Sequence, residues 1–267
     1  MNKIKLAIII IISAFIISCI IIPDILTRHT YTKQNYTDAL SPPDPAYILG
    51  TDHLGRDIYS RIIYGTKYVI TVGLGSVIIA MILGVPLGLI SGYYGGILDS
   101  INMRIQDAIL CFPVILLALL IIATLGASQI NVIITISFVY IPRFARLVRG
   151  CVMDIKNNEY VLNTKICGAS DFRIMFSCIL PNIIPPIIVQ ASLALAIAIL
   201  IEAGLSYLGL GIQPPIPSWG NMLQQSQNYI YSAPWFVFSP GFAIFSSVLF
   251  FNFLGDWVRD FLDPQFD

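Results

Sequence analysis

Six stretches of this chain are apolar for long enough to cross a lipid bilayer, at residues 6–26, 68–91, 108–126, 129–148, 183–203 and 240–258. A helix needs roughly 20 such residues to cross a hydrocarbon layer ~30 Å thick, so this feature alone removes soluble folds from consideration. Within lipid every backbone N–H and C=O must find a partner inside its own segment, which makes each stretch a helix. The sequence therefore predicts an all-α, polytopic membrane protein with about six transmembrane helices. Charged residues make up 11% of the chain and hydrophobic ones 57%, too few of the former to clothe a water-facing exterior. Fifteen basic and 15 acidic residues cancel, so no net field draws nucleic acid. The lipid bilayer is the first partner implied.

The first stretch is nearly pure Ile from Ile8 to Ile22. At about −0.3 to −0.6 kcal/mol per residue it inserts without help from a neighbour. Lys3 and Lys5 precede it like the basic end of a secretory signal, and Ile16-Ile17-Ser18-Cys19 resembles the box at which bacterial lipoproteins are cut. Three further Ile follow Cys19 and five more spans come after it, so the stretch reads as an uncleaved anchor. With the N-terminus inside, ten Lys and Arg residues fall on inner segments and five on outer ones. That is the bias of the positive-inside rule, and it predicts both termini inside. The second outer loop, Gly204 to Ser239, carries no charge of either sign. Cys111, Cys151, Cys167 and Cys178 fall inside and Cys19 within a span; the odd count and the lack of a CxxC pair imply neither a disulfide nor a metal knot.

Residues 27–66 form an outer segment whose Ser41-Pro42-Pro43-Asp44-Pro45 run has turn chemistry. After it, ILGTDHLGRDIYSRIIYG places Asp52, Arg56, Asp57 and Arg61 in an otherwise apolar chain. Ile58, Ile62 and Tyr59, Ile63 recur at helical spacing, which predicts an amphipathic lead-in lying at the membrane interface. The four charges are expected to pair locally, cap that helix and hold the outer segment over the bundle. Gly73, Gly75, Gly84, Pro86 and Gly88 punctuate the second span, as small residues do where helices pack closely. Arg143, Arg146 and Arg149 recur every three residues on one inner face, an anchor at the membrane surface or a contact for anionic lipid or a partner.

The longest inner segment is 150–182. Tyr160 to Ile166 reads as a short helix stopped near Gly168, where a left-handed conformation permits a sharp turn. Ser170 or Asp171 then caps a second helix, Phe172 to Leu180, ended by Pro181. The result is a compact knob on the inner face. Catalytic and ligand-binding motifs are missing. No Gly-Lys dipeptide occurs, so the chain lacks the phosphate-cradling GxxxxGK[ST] loop. The only histidines are His29 and His53, and no HExxH or GxSxG appears. Asp52, His53 and Asp57 have spacing open to a metal or to a structural turn, and the turn is the simpler reading. No enzymatic activity, cofactor or bound metal is expected of this chain. Carboxylates near membrane depth are limited to Asp107 and Glu202; Glu202 is read as interfacial, structural or part of a transport mouth.

Five blocks in order carry a family resemblance: LGTDHLGRDIYSRIIYGTK (Leu49 to Lys67), YYGGILDSINMRIQDAILCFP (Tyr93 to Pro113), GASDFRIMFSCILPN (Gly168 to Asn182), EAGLSYLGLGIQPPIPSWGNML (Glu202 to Leu223) and FLGDWVRDFLDP (Phe253 to Pro264). Together they resemble the C-type permease subunit of dipeptide, oligopeptide and nickel ABC importers. The resemblance implies a type I ABC importer permease fold, with a coupling-helix loop on the cytoplasmic side, in a bacterial cell membrane. It implies three kinds of partner: a homologous second permease subunit, two ATPase subunits and an extracytoplasmic substrate-binding protein. It implies an ATPase-docking loop of Tyr160, Val161, Leu162, Lys165, Gly168, Ala169, Ser170, Asp171, Leu180 and Pro181. The outer signature is Asp52, Gly55, Arg56, Asp57 and Arg61, and the transport-mouth residues are Glu202, Gly209, Gly211 and Trp219. The family's Glu-Ala-Ala triplet is Leu162-Asn163-Thr164 here, and its later Ile is Cys178, so the docking role carries over without the charge contact. The implied division is an anchor and outer segment at 1–66, a permease domain at 67–258 and a cytoplasmic tail at 259–267. Short peptides or nickel and metal chelates are the implied cargo, the Thr51 to Ile58 wording resembling nickel-type members. A competing class, an ion-coupled carrier or channel, predicts paired carboxylates at mid-membrane or an inverted repeat, and neither is evident.

Overall fold

The computed structural model describes residues 3–262; the last part of the tail, 263–267 with Pro264, lies outside the described residues. The chain is all helix and loop, with one isolated bridge between Thr51 and Asp57 and no strand among the described residues. In chain order the helices are α1 (Lys3–Ile21), α2 (Pro23–Leu26), α3 (Ile58–Tyr94), α4 (Gly96–Leu110), α5 (Val114–Leu125), α6 (Gln129–Ile155), α7 (Glu159–Ile166), α8 (Asp171–Arg173), α9 (Leu180–Tyr207), α10 (Trp219–Ser226) and α11 (Pro234–Leu262). A π-helical stretch, Ile174–Ile179, joins α8 to α9. The three make one unbroken helix, Asp171–Tyr207. Four helices are long and apolar enough to cross a bilayer: α3, α6, Asp171–Tyr207 and α11. α1 adds 19 residues, about 28 Å of helix.

The core is the seam between α3 and α6. Ser76, Ala80, Gly84, Gly88 and Gly92 repeat every four residues on α3 and face Tyr140, Phe144, Val148 and Val152 of α6, all buried. The backbones approach so closely that a Cβ at Gly88 would stand 2.5 Å from the Ala145 carbonyl oxygen, and one at Gly92 2.7 Å from Val152 Cβ. Large side chains on one helix thus fill the grooves left by small ones on the other. The Ser76 hydroxyl, 3.3 Å from the Ile133 carbonyl, adds a polar tie across the seam.

Three sequence expectations are corrected. The span 108–126 is not one rod, because α4 and α5 meet at a 90° bend across Cys111–Pro113. Pro113 donates no N–H and disfavours helical geometry at Phe112, so the helix breaks there although both arms are apolar. The lead-in helix does not lie along the interface; it is the first turns of the 37-residue α3, about 55 Å long. Its Ile58 buries with Met222, Ala233 and Phe236 in a second, smaller core at the starts of α3 and α11. Pro181 does not end a helix: the wide π turn before it opens the ladder where Pro supplies no donor, and the helix continues to Tyr207.

Two of the three arginines Arg143, Arg146 and Arg149 clamp helices together. Arg149 binds Asp99 of α4 through both ends of its guanidinium, at 2.5 and 2.6 Å. Arg146 reaches Asp107 at 2.6 Å, while Arg143 lies over the Tyr140 ring at 4.8 Å. Arg149 and Arg146 fasten the oblique α4 to the C-terminal part of α6, whereas Arg143 stays on its own helix.

Candidate functional site: a knob and a cap

At the end of the bundle that the charge bias assigns to the inside, α7 ends at Ile166 and the chain reverses through Gly168, whose φ is +81°. The Gly168 N–H donates to the Lys165 carbonyl at 3.0 Å and the Ala169 N–H to the Thr164 carbonyl at 3.3 Å. That pair of bonds satisfies the end of α7 and needs a left-handed residue between them. The Ser170 hydroxyl accepts from the Arg173 N–H at 3.4 Å and caps α8, which settles the capping alternative in favour of Ser170. Asp171 accepts instead from the Tyr93 hydroxyl at 2.7 Å, tying the knob to the inner end of α3. Lys156 donates to the Gly92 carbonyl at 2.8 Å and reinforces that tie.

The knob presents apolar side chains outward. Ile166 is 83% exposed and Phe172 67%, with Tyr160 and Leu162 also exposed. Val161 alone of the expected docking residues is buried; Lys165 and Pro181 are exposed, and Ala169 and Leu180 half-buried. The two departures from the family pattern touch each other: the Cys178 thiol lies 3.9 Å from the Thr164 hydroxyl. A cleft of about 270 Å³ opens between Tyr93, Lys156, Leu162, Lys165 and Asp171.

The signature charges, expected on an outer face, are buried. Asp52 is fully buried, and Arg56, Asp57 and Arg61 nearly so. Asp52 Oδ1 accepts the backbone N–H groups of Leu54 and Arg56 at 2.8 and 3.0 Å, while Oδ2 takes Arg56 Nε at 2.6 Å and faces Arg61 Nε at 3.7 Å. Asp57 caps α3 by accepting from the Ser60 N–H at 3.1 Å. Arg61 also donates to the Tyr31 carbonyl at 3.4 Å. Local pairing and capping are therefore present as expected. Gly55, with φ +70°, turns where a Cβ would stand 1.7 Å from the Asn35 carbonyl oxygen. Both Asp52 oxygens are consumed by this loop, and no group of three metal-donor side chains occurs among the described residues.

The residues assigned to a transport mouth form the lid of the same cap. Glu202 does not reach an interface: it is fully buried, and its Oε1 accepts from the Ser206 and Ser218 hydroxyls at 2.6 and 2.9 Å. No second carboxylate joins it, so the pairing that an ion-coupled carrier predicts is absent from this cluster. Gly209, at φ +81°, closes the end of α9 through the same pair of bonds as Gly168. A Cβ at Gly211 would stand 1.9 Å from Ser206 Oγ. Trp219 donates its indole N–H to the Ile62 carbonyl at 3.1 Å and lies against Gly65. Arg56 Nη2 reaches Gln225 Oε1 at 3.1 Å. Thus the Leu49–Lys67 and Glu202–Leu223 blocks, remote in sequence, form one unit. Gln225 escaped the sequence reading because a neutral amide in a polar loop carries no signal of its own. A cavity of about 1040 Å³ lies between α1, the start of α3 and α11, reaches the cap at Leu49, Ile62, Trp219 and Leu223, and is lined by no charged residue.

Residues 84–267 match the family model described as "Binding-protein-dependent transport system inner membrane component". The chain is 46% identical over 264 residues to the dipeptide transport system permease protein DppC of Alkalihalophilus pseudofirmus, covering 99% of this chain and 86% of that one. It is 43% identical over 238 residues to the glutathione transport system permease protein GsiD of Pectobacterium atrosepticum, covering 88% of this chain and 79% of the relative. An inward-facing structure of the MetNI methionine ABC transporter superposes with a TM-score of 0.66 at 17% identity, covering 78% of this chain and 98% of the other. That likeness concerns the fold, which is that of a type I ABC importer permease. A multi-pass bundle with relatives of this kind belongs to the binding-protein-dependent transport system inner membrane components: the chain is a permease subunit of an ABC importer.

Proposed function

We propose that this chain forms half of a pathway for short peptides. Its cytosolic knob is driven by an ATPase, and its outer cap faces a substrate-binding protein. Membership of the family implies an ATPase, a binding protein and a further permease as partners. The finer assignments are two ATPase subunits, a homologous second permease half, and residues 67–258 as the domain that moves. Peptide cargo rests on the names of the relatives; a wrapped nickel or metal chelate remains the second reading, on the Thr51 to Ile58 wording alone. Both termini lie inside, ATP hydrolysis belongs to the partners, and selectivity resides largely in the binding protein.

One observation carries the coupling role. The 37-residue helix Asp171–Tyr207 starts at the Gly168 turn and ends beside the Glu202 cluster of the cap. At 1.5 Å per residue it is a rod about 55 Å long, so a push on the knob displaces the cap. The test is Gly168→Val. A Cβ there meets nothing within 4 Å, so the protein inserts and folds, but the φ of +81° puts the β-branched residue under strain and re-aims the knob. In proteoliposomes with the ATPase and binding protein, uptake is expected to fall at least tenfold while ATP hydrolysis continues. Wild-type uptake would refute the lever.

A further inference from the structure

The outer cap holds a titratable side chain that neither the fold's ion pairs nor the coupling rod uses. The His53 ring lies against Tyr229, centroids 5.9 Å apart and planes 13° from parallel, and against Phe236 at 6.0 Å and 24°. Tyr229 belongs to the charge-free outer loop and Phe236 to the first turn of α11, so the imidazole joins segments far apart in the chain. Its Nδ1 is buried without a hydrogen-bond partner. The charged groups facing it are Asp52 and Arg56 from its own loop and Arg61 from α3. From the opposite side come only the Tyr229 phenol and the Phe236 ring, because residues 204–239 contain no Asp, Glu, Lys or Arg. Asp52 already serves both arginines, and Asp57 caps α3.

We propose that His53 is an acid-sensitive clasp: when it takes a proton, the seam between residues 51–57 and the Tyr229–Phe236 segment parts and α10 loosens over the outer end of α3. The proton would add a third cation beside Arg56 and Arg61, on a ring whose buried nitrogen has nothing to donate to. Burial holds the imidazole below its ordinary pKa, Arg56 and Arg61 push the same way, and Asp52 opposes them. A histidine depressed in the closed state leaves that state at full strength above the ordinary histidine pKa. Closure is then lost as pH falls toward the depressed value. For the transporter this means external acid unfastening the surface at which the binding protein arrives, a meaning that rests on the outward orientation proposed above.

The experiment is amide hydrogen exchange by mass spectrometry on the full-length chain in detergent, where both faces meet the buffer and orientation plays no part. Rates are corrected for intrinsic pH dependence. Between about pH 7.5 and pH 5.5 the wild-type chain is expected to lose protection across residues 219–236 while α6 keeps its own. His53→Phe, which retains the ring stack without a titrating nitrogen, should keep protection at both pH values. An unchanged acid response in His53→Phe, or none in the wild type, overturns the proposal. Should that variant fail to fold, exchange of the imidazole C2 hydrogen in the wild-type protein reports the titration directly. A midpoint at or above the ordinary histidine value overturns it equally.

Discussion

Asp52 anchors the outer cap, since one carboxylate holds two buried arginines and two backbone N–H groups. Asp52→Asn keeps the shape and removes the charge, leaving Arg56 and Arg61 without a counter-ion in a site closed to water. The expected cost is about 3–5 kcal/mol, read as a lower melting midpoint in detergent and cleavage within residues 27–57 under mild protease. Arg56→Ala, which leaves Asp52 its second arginine, should impair assembly less than Asp52→Asn does, yet more than it impairs binding-protein docking. Normal assembly with lost docking would place Arg56 in the docking surface instead. Two glycines separate backbone strain from steric clash. At both Gly55 and Gly168 a Cβ in the left-handed region costs about 1–2 kcal/mol. At Gly55 it also strikes the Asn35 carbonyl, whereas at Gly168 it meets open space. Gly55→Ala should therefore unfold the cap and Gly168→Ala leave the melting midpoint within a few degrees of wild type. The sequence displayed all four charges and both glycines. It concealed the burial of the charges, because Gln225, which meets Arg56, arrives from the far end of the chain.

At the scale of elements, α4 is held to α6 by two ion pairs of unequal worth. Arg149 and Asp99 are 30% and 15% exposed and bind through a planar fork, whereas Arg146 and Asp107 are 55% and 57% exposed. Water screens the second pair to about 0–1 kcal/mol. The first, desolvated and bidentate, is worth about 1–3 kcal/mol. Arg149→Ala should therefore loosen α4, seen as faster cross-linking between cysteines placed at Ile101 and on lipid-facing α5, while Arg146→Ala changes little. Equal effects would mean that the pairs do not hold the helix. This oblique helix was hidden in the sequence because hydropathy runs on through residue 126, and only Pro113 marked the break. The knob, by contrast, was legible almost residue by residue. Its start, its Gly turn and its cap each leave a chemical mark within four positions, and only the passage through Pro181 needed a π turn that no local pattern announces.

At the scale of the molecule, one rod ties the knob to the cap, and it can link an ATPase to a binding protein only if the two face opposite sides of the membrane. The chain supplies its own probe. Cys167 is exposed at the tip of the knob, next to Gly168, while Tyr231 is fully exposed on the cap. With Cys19, Cys111, Cys151 and Cys178 replaced by Ser, the remaining thiol reports the knob alone; a second variant with Cys167→Ser and Tyr231→Cys reports the cap. A thiol reagent that cannot cross lipid is expected to label Tyr231→Cys in intact cells within minutes. It should reach Cys167 only after the membrane is opened. The charge bias behind this orientation is ten Lys and Arg inside against five outside. Labelling of Cys167 in intact cells would put the knob outside, beyond the reach of any cytosolic ATPase, and the rod would then have no motor to drive it.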